Sequence, residues 1–368
     1  MPTFKYLSII VNSGLALFLS SPLGAQERDW EKQWGEVLAA AKKEGKVVVH
    51  GPVIAAARQT IPAKFQARFG IPVEYVSGRS SELAARLRSE RRSGLFTIDV
   101  YLAGFSTAAT ILYPEKMLDP LRPALFLPEV VESSKWKSGK LWFMDPEDQY
   151  ILRLFNMVSN PFNINTRYVK PEELRFVKDL FDPKWKGKIS SYDPTGQGPG
   201  RSLAARWYVQ FGEEFIKKLY LDQRPVISRD DRQLLDWLAR GTYPIGIGTR
   251  DEEVQRLREE GFPVTPHSFV DDAGHTGTAD GSLALMNKAP HPNAARLFVN
   301  WIASKEGLEV FARALLAVPT RNDVDQSFLP PERIPKPNVK YFDSSDWNYT
   351  IHTKEKIERR IQEILTQR

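Results

Sequence analysis

The alternation of short β-branched runs with amphipathic segments is the feature that most constrains the fold of this chain. Lys46 to His50, Ile71 to Val76 and Thr97 to Tyr101 are each followed by a small-residue turn and then by a segment with helical spacing. Strands that alternate with helices in this way build parallel sheets covered by helices. The pattern therefore predicts an α/β fold in which three strand-to-helix turns meet at one carboxyl edge, where open α/β sheets bind ligands.

A glycine-rich turn later in the chain has the same build. Ile189 to Leu203 reads I-S-S-Y-D-P-T-G-Q-G-P-G-R-S-L, in which a strand end passes through three glycines into an amphipathic helix. The first N–H groups of a helix have no partner within it, so such a turn can bind an oxygen-rich anion. The residues expected to contact that anion are Thr195, Gly196 and Gln197. A tight turn that uses glycine only for its positive φ is the alternative, and the pattern lacks the Gly-Lys-Ser/Thr of a P-loop.

Two of the earlier turns also contain residues suited to an anion. In S-G-R-S-S-E-L, either Ser80 or Ser81 can cap the following helix, and Arg79 adds a forked cation beside the free amides. A routine cap with a solvated arginine is the alternative interpretation. In L-A-G-F-S-T, Phe105 and Ser106 stand at the start of the next helix.

The N-terminal residues 1–25 have the pattern of a secretory signal peptide. Lys5 supplies a positive charge, Leu7 to Leu19 form an apolar stretch too short to span a bilayer, and small residues lead to cleavage after Ala25. The chain contains no cysteine, which excludes a lipoprotein signal, disulfide bonds and thiol chemistry. The sequence therefore predicts an exported protein whose mature chain is not inserted in a membrane.

Length and charge restrict the classes of partner. The 368 residues suit two domains, and the formal net charge is +6. Cations and anions are interleaved along helix faces such as Glu252 to Glu260, so no nucleic-acid partner is predicted. The positive excess is compatible with a small anionic ligand, although solubility alone would explain it equally well.

The second half of the chain supplies the connections. Tyr150 to Asn165 reads as one long strand into a second domain, and Gly277 to Leu285 as the route back. Residues 112–148, rich in proline and aromatics, read as an irregular surface connection. Thr249 and Arg250 open a helix after a short strand, and Thr353 to Thr366 form a last amphipathic helix on the outside.

Five motifs resemble the bacterial periplasmic solute-binding proteins of ABC importers, and within them the iron(III)-type branch. They cover nearly all of residues 30–320 and read V-V-V-H-G-P, S-G-R-S-S-E-L, I-D-V-Y-L-A-G, F-D-P-K-W-K-G-K-I and H-P-N-A-A-R-L-F-V-N-W-I-A-S-K-E-G. The resemblance implies a type II two-lobed periplasmic-binding-protein fold, each lobe a mixed five-stranded α/β sheet flanked by helices. It also implies a monomer without a cofactor that delivers a small molecule to an inner-membrane ABC permease with its ATPase.

The resemblance also implies a division of the chain and a place for the ligand. Residues 26–150 and 281–325 would form lobe 1, residues 151–280 lobe 2, and residues 326–368 a tail packed on lobe 2. The ligand would lie between the lobes. From the turns, we expect its contacts to come from Arg79, Ser80, Ser81, Phe105 and Ser106 of lobe 1 and from Thr195, Gly196, Gln197, Thr249 and Arg250 of lobe 2. Asp280, beside the hinge, would hold an amine or hydroxyl group of the ligand or only orient Arg79.

The nature of the ligand is inferred from one departure from the family pattern. Iron-binding members carry adjacent tyrosines after the strand that corresponds to Tyr243 to Gly248, whereas this chain reads T-R-D-E there. Phenolates suit a ferric ion, and Arg250 would repel a cation. A carboxylate or phosphonate-like anion is therefore favoured, paired with the two arginines and partly covered by Phe105.

Other chemistries stay open as alternatives. A ferric iron-binding protein with non-tyrosine ligands and an exported enzyme using the same cleft are both possible, and each arginine could instead form a surface salt bridge. The five histidines show no metal-ligand spacing, and no motif marks a nucleophile or an acid and base pair. The sequence therefore predicts neither a metal site nor catalytic residues.

Overall fold

The computed structural model describes residues 23–78, 80–196, 198–249 and 251–366. Its strands are, in chain order, β1 (Val47–Gly51), β2 (Val73–Ser77), β3 (Val100–Ala103), β4 (Leu118–Asp119), β5 (Leu152–Arg153), β6 (Met157–Ser159), β7 (Phe162–Asn165), β8 (Ile189–Tyr192), β9 (Val226–Ser228), β10 (Ile245–Ile247), β11 (Val264–Pro266), β12 (His275–Gly277), β13 (Ser282–Met286) and β14 (Phe342–Asp343). Its α-helices are α1 (Leu23–Glu44), α2 (Ala55–Phe69), α3 (Ser80–Arg92), α4 (Phe105–Thr107), α5 (Pro128–Val131), α6 (Pro199–Phe211), α7 (Glu213–Lys217), α8 (Asp231–Arg240), α9 (Asp251–Glu259), α10 (Pro292–Ala303), α11 (Lys305–Leu315) and α12 (Lys354–Thr366).

The first sheet has the strand order β2-β1-β3-β13-β4, and β5 also pairs with β13. Strand β1 runs parallel to both β2 and β3, with Val47 opposite Val73 and Val49 opposite Val100. The turns after these three strands therefore lie at one edge, as the alternating pattern predicts. The extra strand β5 makes this sheet six-stranded, one more than the resemblance implies.

The second sheet has the strand order β11-β7-β10-β8-β9 and the five strands that the resemblance implies. Strands β8, β9 and β10 are parallel, while β7 runs antiparallel to β10. The glycine turn after β8 and the turn after β10 consequently share one carboxyl edge. The predicted strand, glycine turn and helix at residues 189–211 are confirmed.

Each large sheet has apolar cores of its own. Against the first sheet, one cluster includes Val49, Phe65 and Trp301, and another includes Tyr101 and Leu83. Against the second sheet, the clusters centre on Phe162, Trp207 and Ile245 and on Leu238 and Val254. Helices thus cover both faces of both sheets, which is the two-lobed α/β architecture expected from the motifs.

Residues 112–148 are irregular, as predicted, but the prediction that they lie on the surface was wrong. Leu121, Val130, Trp136 and Phe143 are all buried in a core of the first sheet. The Trp136 indole N–H donates to the Val130 carbonyl over 2.8 Å, so its polar atom is satisfied inside that core. Proline prevents regular structure in this segment, yet its apolar side chains still bury their surface.

The two connections between the sheets are each divided into short strands. Tyr150 to Asn165 was predicted as one strand, but β5 pairs within the first sheet, β6 pairs with β12, and β7 pairs within the second sheet. The return route is divided in the same way into β12 and β13, with Ala279 at φ 47° between them. The long-strand prediction was wrong because a strand's extent depends on the neighbours that accept its hydrogen bonds.

The C-terminal segment, defined as residues 342–366, contacts both lobes. Strand β14 pairs with β12, and α12 places Ile361, Ile364 and Leu365 in a core of the second sheet. Between them, Trp347 packs against a core of the first sheet, with its ring centroid 5.1 Å from that of Tyr113.

The predicted signal peptide, residues 1–25, falls almost wholly outside the described residues. Helix α1 begins at Leu23. Among the helices of the described residues, none has both the length and the apolarity required to cross a bilayer.

A buried ion pair joins α6 to the chain that precedes the connecting strand β12. Arg206 Nη1 lies 2.8 Å from Asp272 Oδ1, and both side chains are almost completely buried. The Trp207 indole N–H donates to the other carboxylate oxygen over 2.6 Å, and the Gly274 N–H donates to the first over 3.1 Å. Asp272 therefore satisfies three donors at once inside the second lobe.

We expect Asp272→Ala to lower the free energy of unfolding by about 3–5 kcal/mol, because it removes the carboxylate partner of a buried guanidinium. Urea denaturation followed by tryptophan fluorescence measures this loss. The matched control is Asp236→Ala, whose exposed pair with Arg240 is worth at most about 1 kcal/mol. Equal urea midpoints for the two variants would contradict a stabilising role of the buried Arg206–Asp272 pair.

Candidate functional site

His50 lies at the carboxyl end of β1, at the edge where the first-lobe turns meet. Its side chain is 1% exposed and stacks on Tyr101, with ring centroids 5.6 Å apart. Gly78, in the turn after β2, lies beside the imidazole. Within the described residues neither ring nitrogen has a hydrogen-bond partner of good geometry, and burial lowers the pKa of His50 to about 4 in spite of the nearby Val76 backbone. His50 is therefore neutral at pH 7.

Phe105 and Ser106 occupy the turn after β3 at the same edge. The Tyr101 hydroxyl donates to the Gly104 carbonyl over 2.7 Å, which fixes the backbone just before α4. Phe105 is 4% exposed and its ring lies 6.2 Å from that of Trp347, while Ser106 is exposed. Both residues line a cavity of about 410 Å³, which we call the Phe105 cavity.

Asp280 lies in the turn between β12 and β13 and is close to the end of β2. Burial raises the pKa of its carboxyl group. Burial also raises the pKa of Tyr75, and the charge of Asp280 adds to that effect. The Tyr75 hydroxyl donates to the Pro52 carbonyl over 3.2 Å. The structure therefore brings Asp280 to the first-lobe edge on which the predicted turn of residues 77–81 begins.

In the second lobe, Thr195 and Gly196 follow β8. The Thr195 amide and hydroxyl both donate to Asp193 Oδ1, over 2.7 and 2.6 Å, and Arg229 Nε lies 2.6 Å from Asp193 Oδ2. Burial favours the neutral acid, but these hydrogen bonds and the Arg229 charge outweigh it and lower the pKa of Asp193. Asp193 thus holds the start of the turn that leads to α6, which begins at Pro199.

The turns after β8 and β10 pack directly on one another because glycine occupies the contact. A Cβ atom on Gly200 would lie 2.3 Å from the Tyr192 carbonyl oxygen. Gly248 has φ +80°, and a Cβ there would lie 3.0 Å from the Cα of Gly200. Only glycine allows this approach, which brings the two second-lobe turns together at one edge.

The remaining predicted residues are described to different extents. Thr249 is 1% exposed, and its hydroxyl oxygen accepts a hydrogen bond from Asn163 Nδ2 over 2.6 Å. Ser80 and Ser81 begin α3, and only their backbone is described. Arg79, Gln197 and Arg250 lie outside the described residues. Their contacts with a ligand stay predictions.

Sequence reasoning missed the contribution of the C-terminal segment to this region. Ser345, Thr350 and Lys354 line the Phe105 cavity together with His275 of β12. Burial, assisted by the charge of Arg206, lowers the pKa of His275 to about 3. No local pattern links Ser345, Thr350 and Lys354 to the turn at Phe105, since 240 or more positions separate them from it in the chain.

In the part of the chain that the structure describes, no group of three or more carboxylate or histidine side chains is arranged to hold a metal ion. Both edges instead contain turns that lead into helices, together with hydroxyl groups and glycine amides. Such groups bind oxygen-rich anions or uncharged hydroxyl compounds.

Two separately cored α/β lobes, joined by paired connecting strands, define the class of periplasmic binding proteins. The family model for bacterial extracellular solute-binding proteins matches residues 60–338, and the chain belongs to this family. The resemblance to the solute-binding proteins is thereby confirmed, while membership of the iron(III)-type branch stays a prediction.

The proteins similar to this chain align with most of its length. An uncharacterised protein of Haemophilus influenzae is 23% identical over 346 residues, which cover 89% of this chain and 93% of that protein. The structure of Trichodesmium IdiA (FutA) with iron and citrate has a TM-score of 0.63 at 18% identity, covering 87% of this chain and 99% of that one. AfuA of Actinobacillus pleuropneumoniae with bound fructose-6-phosphate has a TM-score of 0.57 at 18% identity, covering 88% and 99%. At these identities the structural likeness shows the fold.

Replacing Gly200 tests the contact between the second-lobe turns. We expect Gly200→Ala to lower the free energy of unfolding by about 1–3 kcal/mol, because the new methyl group overlaps the Tyr192 carbonyl. The control is Gly35→Ala in α1, where a Cβ meets nothing within 4 Å and should stabilise the helix by about 0.5–1 kcal/mol. Thermal unfolding of both variants measures the difference, and a Gly200→Ala variant as stable as the wild type would contradict the close packing.

The neutral state of His50 predicts a pH dependence of stability. The unfolded chain takes up a proton on this histidine near pH 6.5, whereas the folded chain does so only near pH 4, so stability is lost as the pH falls through this window. Between pH 7.5 and pH 5 the wild type should lose about 2 kcal/mol more unfolding free energy than His50→Phe. Urea denaturation at the two pH values measures the unfolding free energy of both proteins. An equal loss in the wild type and in His50→Phe would contradict the prediction.

Proposed function

We propose that this protein is the periplasmic substrate-binding component of an ABC importer that captures a small anionic solute between its lobes. The observation that carries the proposal is the matching construction of the two lobes. In each one, parallel strands deliver small-residue turns and helix starts to a single carboxyl edge. Two such edges, connected through short strands, can enclose a ligand from both sides.

The division into lobes supports a closing motion. We propose lobe 1 at residues 26–150 and 281–325 and lobe 2 at residues 151–280, with the chain crossing between them twice. The crossings consist of short strands and turns, and Ala279 has a left-handed backbone at φ 47°. A ligand that contacts both lobes stabilises the closed arrangement over the open one, and this difference in free energy drives closure.

The chemistry of the two edges favours an oxyanion. Arg79 and Arg250, one from each lobe, would pair bidentately with a carboxylate or phosphonate-like group. The amide of Gly196, in the turn that Asp193 holds through Thr195, would donate to a remaining oxygen. His50, neutral at pH 7, adds no positive charge but offers an unsatisfied nitrogen. The bound fructose-6-phosphate of AfuA and the citrate of Trichodesmium IdiA are both oxyanions, which is consistent with this class.

Export and delivery complete the proposal. Cleavage after Ala25 would release the mature chain into the periplasm, and the absence of cysteine leaves no residue for a lipid anchor. The loaded, closed form would then dock as a monomer on an inner-membrane permease with its ATPase. Binding without turnover is the expected behaviour, since the chain acts as a receptor and not as an enzyme.

Native mass spectrometry of freshly purified protein tests the proposal directly. A stoichiometric small anion that dissociates on unfolding is the expected result. Thermal shift measurements with fructose 6-phosphate, citrate and inorganic phosphate then establish which oxyanion stabilises the protein. A retained ferric ion would contradict the proposal of an anionic ligand and favour an iron-binding protein. Conversion of a bound compound to product on incubation would favour an enzyme.

Removing either arginine should weaken ligand binding. We expect Arg79→Ala and Arg250→Ala each to cost about 2–5 kcal/mol of binding free energy, because each leaves a buried ligand charge unpaired. Isothermal titration with the oxyanion that stabilises the wild type measures the loss. Arg240→Ala, which removes an exposed guanidinium on α8, serves as the control and should bind normally. Wild-type affinity in both site variants would exclude the proposed site.

A further inference from the structure

The C-terminal segment is fastened to the strands that connect the lobes. Arg153 Nη1 lies 2.7 Å from Asp343 Oδ2, and the Arg153 guanidinium is fully buried over the Trp142 ring at 4.2 Å. The Ser344 hydroxyl donates to the Thr276 carbonyl over 2.8 Å, and the Thr278 N–H donates to the Ser345 hydroxyl oxygen over 3.2 Å. Residues 343–345 are therefore held at a fixed position beside β12.

Both ends of the same segment are anchored to the lobes. Trp347 contacts the Phe105 and Tyr113 rings of the first lobe. Helix α12 is joined to the second lobe by the Arg201–Glu358 pair at 2.7 Å and by the Arg360–Glu213 pair at 2.9 Å. Arg201 lies in the first turn of α6, directly after the glycine turn. The start of α12 is thus placed between the predicted ligand-binding turns of the two lobes.

The Phe105 cavity lies at this junction and is completed by the C-terminal segment. Its walls come from the turn after β3, from the connecting strands β6 and β12, and from residues 344–354. Its lining residues are Gly104, Phe105, Ser106, Met157, Ser159, His275, Gly277, Thr278, Ala279, Ser344, Ser345, Thr350 and Lys354. Among the described residues of this lining there is no carboxylate, and Lys354 is the one that is charged at pH 7.

Hydrogen-bond donors in the cavity are left without acceptors. The Thr350 hydroxyl is buried and has no partner among the described residues, and Thr350 as a whole is 7% exposed. A buried hydroxyl without a partner is costly unless something else satisfies it. The Ser345 oxygen accepts from Thr278, which leaves its own proton available to donate. These donors call for an acceptor inside the cavity.

The charge of Lys354 is also uncompensated by the described residues. Its half-buried side chain forms no ion pair with them. The two nearest carboxylates on its own helix have other partners, since Glu358 pairs with Arg201 and Glu355 with Arg359. His275 faces the same space but is neutral at pH 7, because burial holds its pKa near 3. The described lining of the Phe105 cavity therefore carries one positive charge, that of Lys354.

We propose that the C-terminal segment supplies ligand-binding residues, and that the Phe105 cavity binds an oxyanion group of the solute through Lys354, Thr350 and Ser345. This inference rests on the proposed function and deepens it, because it assigns a second anionic or strongly polar group to the ligand. The Lys354 ammonium supplies the charge, and the two hydroxyls donate hydrogen bonds to the oxygens. The Phe105 ring covers the adjoining apolar part of the ligand.

The size of the cavity restricts the ligand. About 410 Å³ is room for a compound of roughly the size of a sugar phosphate or a tricarboxylic acid, since ligand pockets run from about 300 to 1,000 Å³. A phosphoryl group and a carboxyl group present the same oxygens to Lys354. The ligand chemistry that both share is therefore an oxyanion attached to a small polar molecule. The test below distinguishes a phosphoryl group from a carboxyl group.

The test is isothermal titration of the full mature chain with fructose 6-phosphate, citrate and inorganic phosphate. We expect Lys354→Gln to weaken binding of the preferred probe by about 10-fold or more, the usual effect of losing a hydrogen bond to a charged group. Thr350→Val, which keeps the side-chain shape, should weaken it by about 2- to 10-fold. The control is Lys356→Gln, an exposed lysine of the same helix that lines no part of the cavity and should bind as the wild type does.

Three outcomes separate this inference from the function on which it rests. Loss of affinity in Lys354→Gln and Thr350→Val, with unchanged melting temperatures of the ligand-free variants, supports it. Wild-type affinity in both variants overturns it and leaves the proposed function standing. A wild type that binds none of the three probes, and that carries no anion in native mass spectrometry, overturns both.

Discussion

The parallel pairing of neighbouring strands is the constraint on which the structure depends. Val47 lies opposite Val73 and Val49 opposite Val100 in the first lobe, and β8, β9 and β10 are aligned in the same sense in the second. Parallel strands end at a common edge, so the strand pairing by itself brings the turns that follow them to one side of the sheet. Among the described residues of the candidate site, His50, Phe105, Ser106, Thr195, Gly196 and Thr249 stand at the ends of these aligned strands.

The second requirement is that the lobes remain separate units while staying attached. Distinct apolar clusters on each sheet give the lobes independent cores, and only short strands join them. The C-terminal segment adds a third link, because the buried Arg153 pairs with the partly exposed Asp343 at the connecting strands and α12 packs on the second lobe. This segment therefore constrains any movement of one lobe relative to the other.

Local sequence patterns predicted the elements that depend on local causes. The glycine turn at residues 193–200 was found because glycine there meets a steric requirement, since a Cβ atom on Gly200 would lie only 2.3 Å from the Tyr192 carbonyl oxygen. The long strand at Tyr150 to Asn165 was wrongly predicted because strand boundaries are set by partners far away in the chain. The surface placement of residues 112–148 was wrong for a related reason, since proline disrupts regular structure but does not prevent burial of Trp136.

The sequence by itself determined the α/β class and the small-residue turns, because each is encoded by periodicity or by residues adjacent in the chain, and its motifs predicted the family by resemblance. Only the tertiary structure decided that Lys354, Thr350 and Ser345 share a cavity with Phe105. It also decided that His50 is buried and neutral, since burial and pKa are set by everything packed around a side chain. Contacts between distant segments follow from the packing of whole lobes, and no short stretch of sequence contains that information.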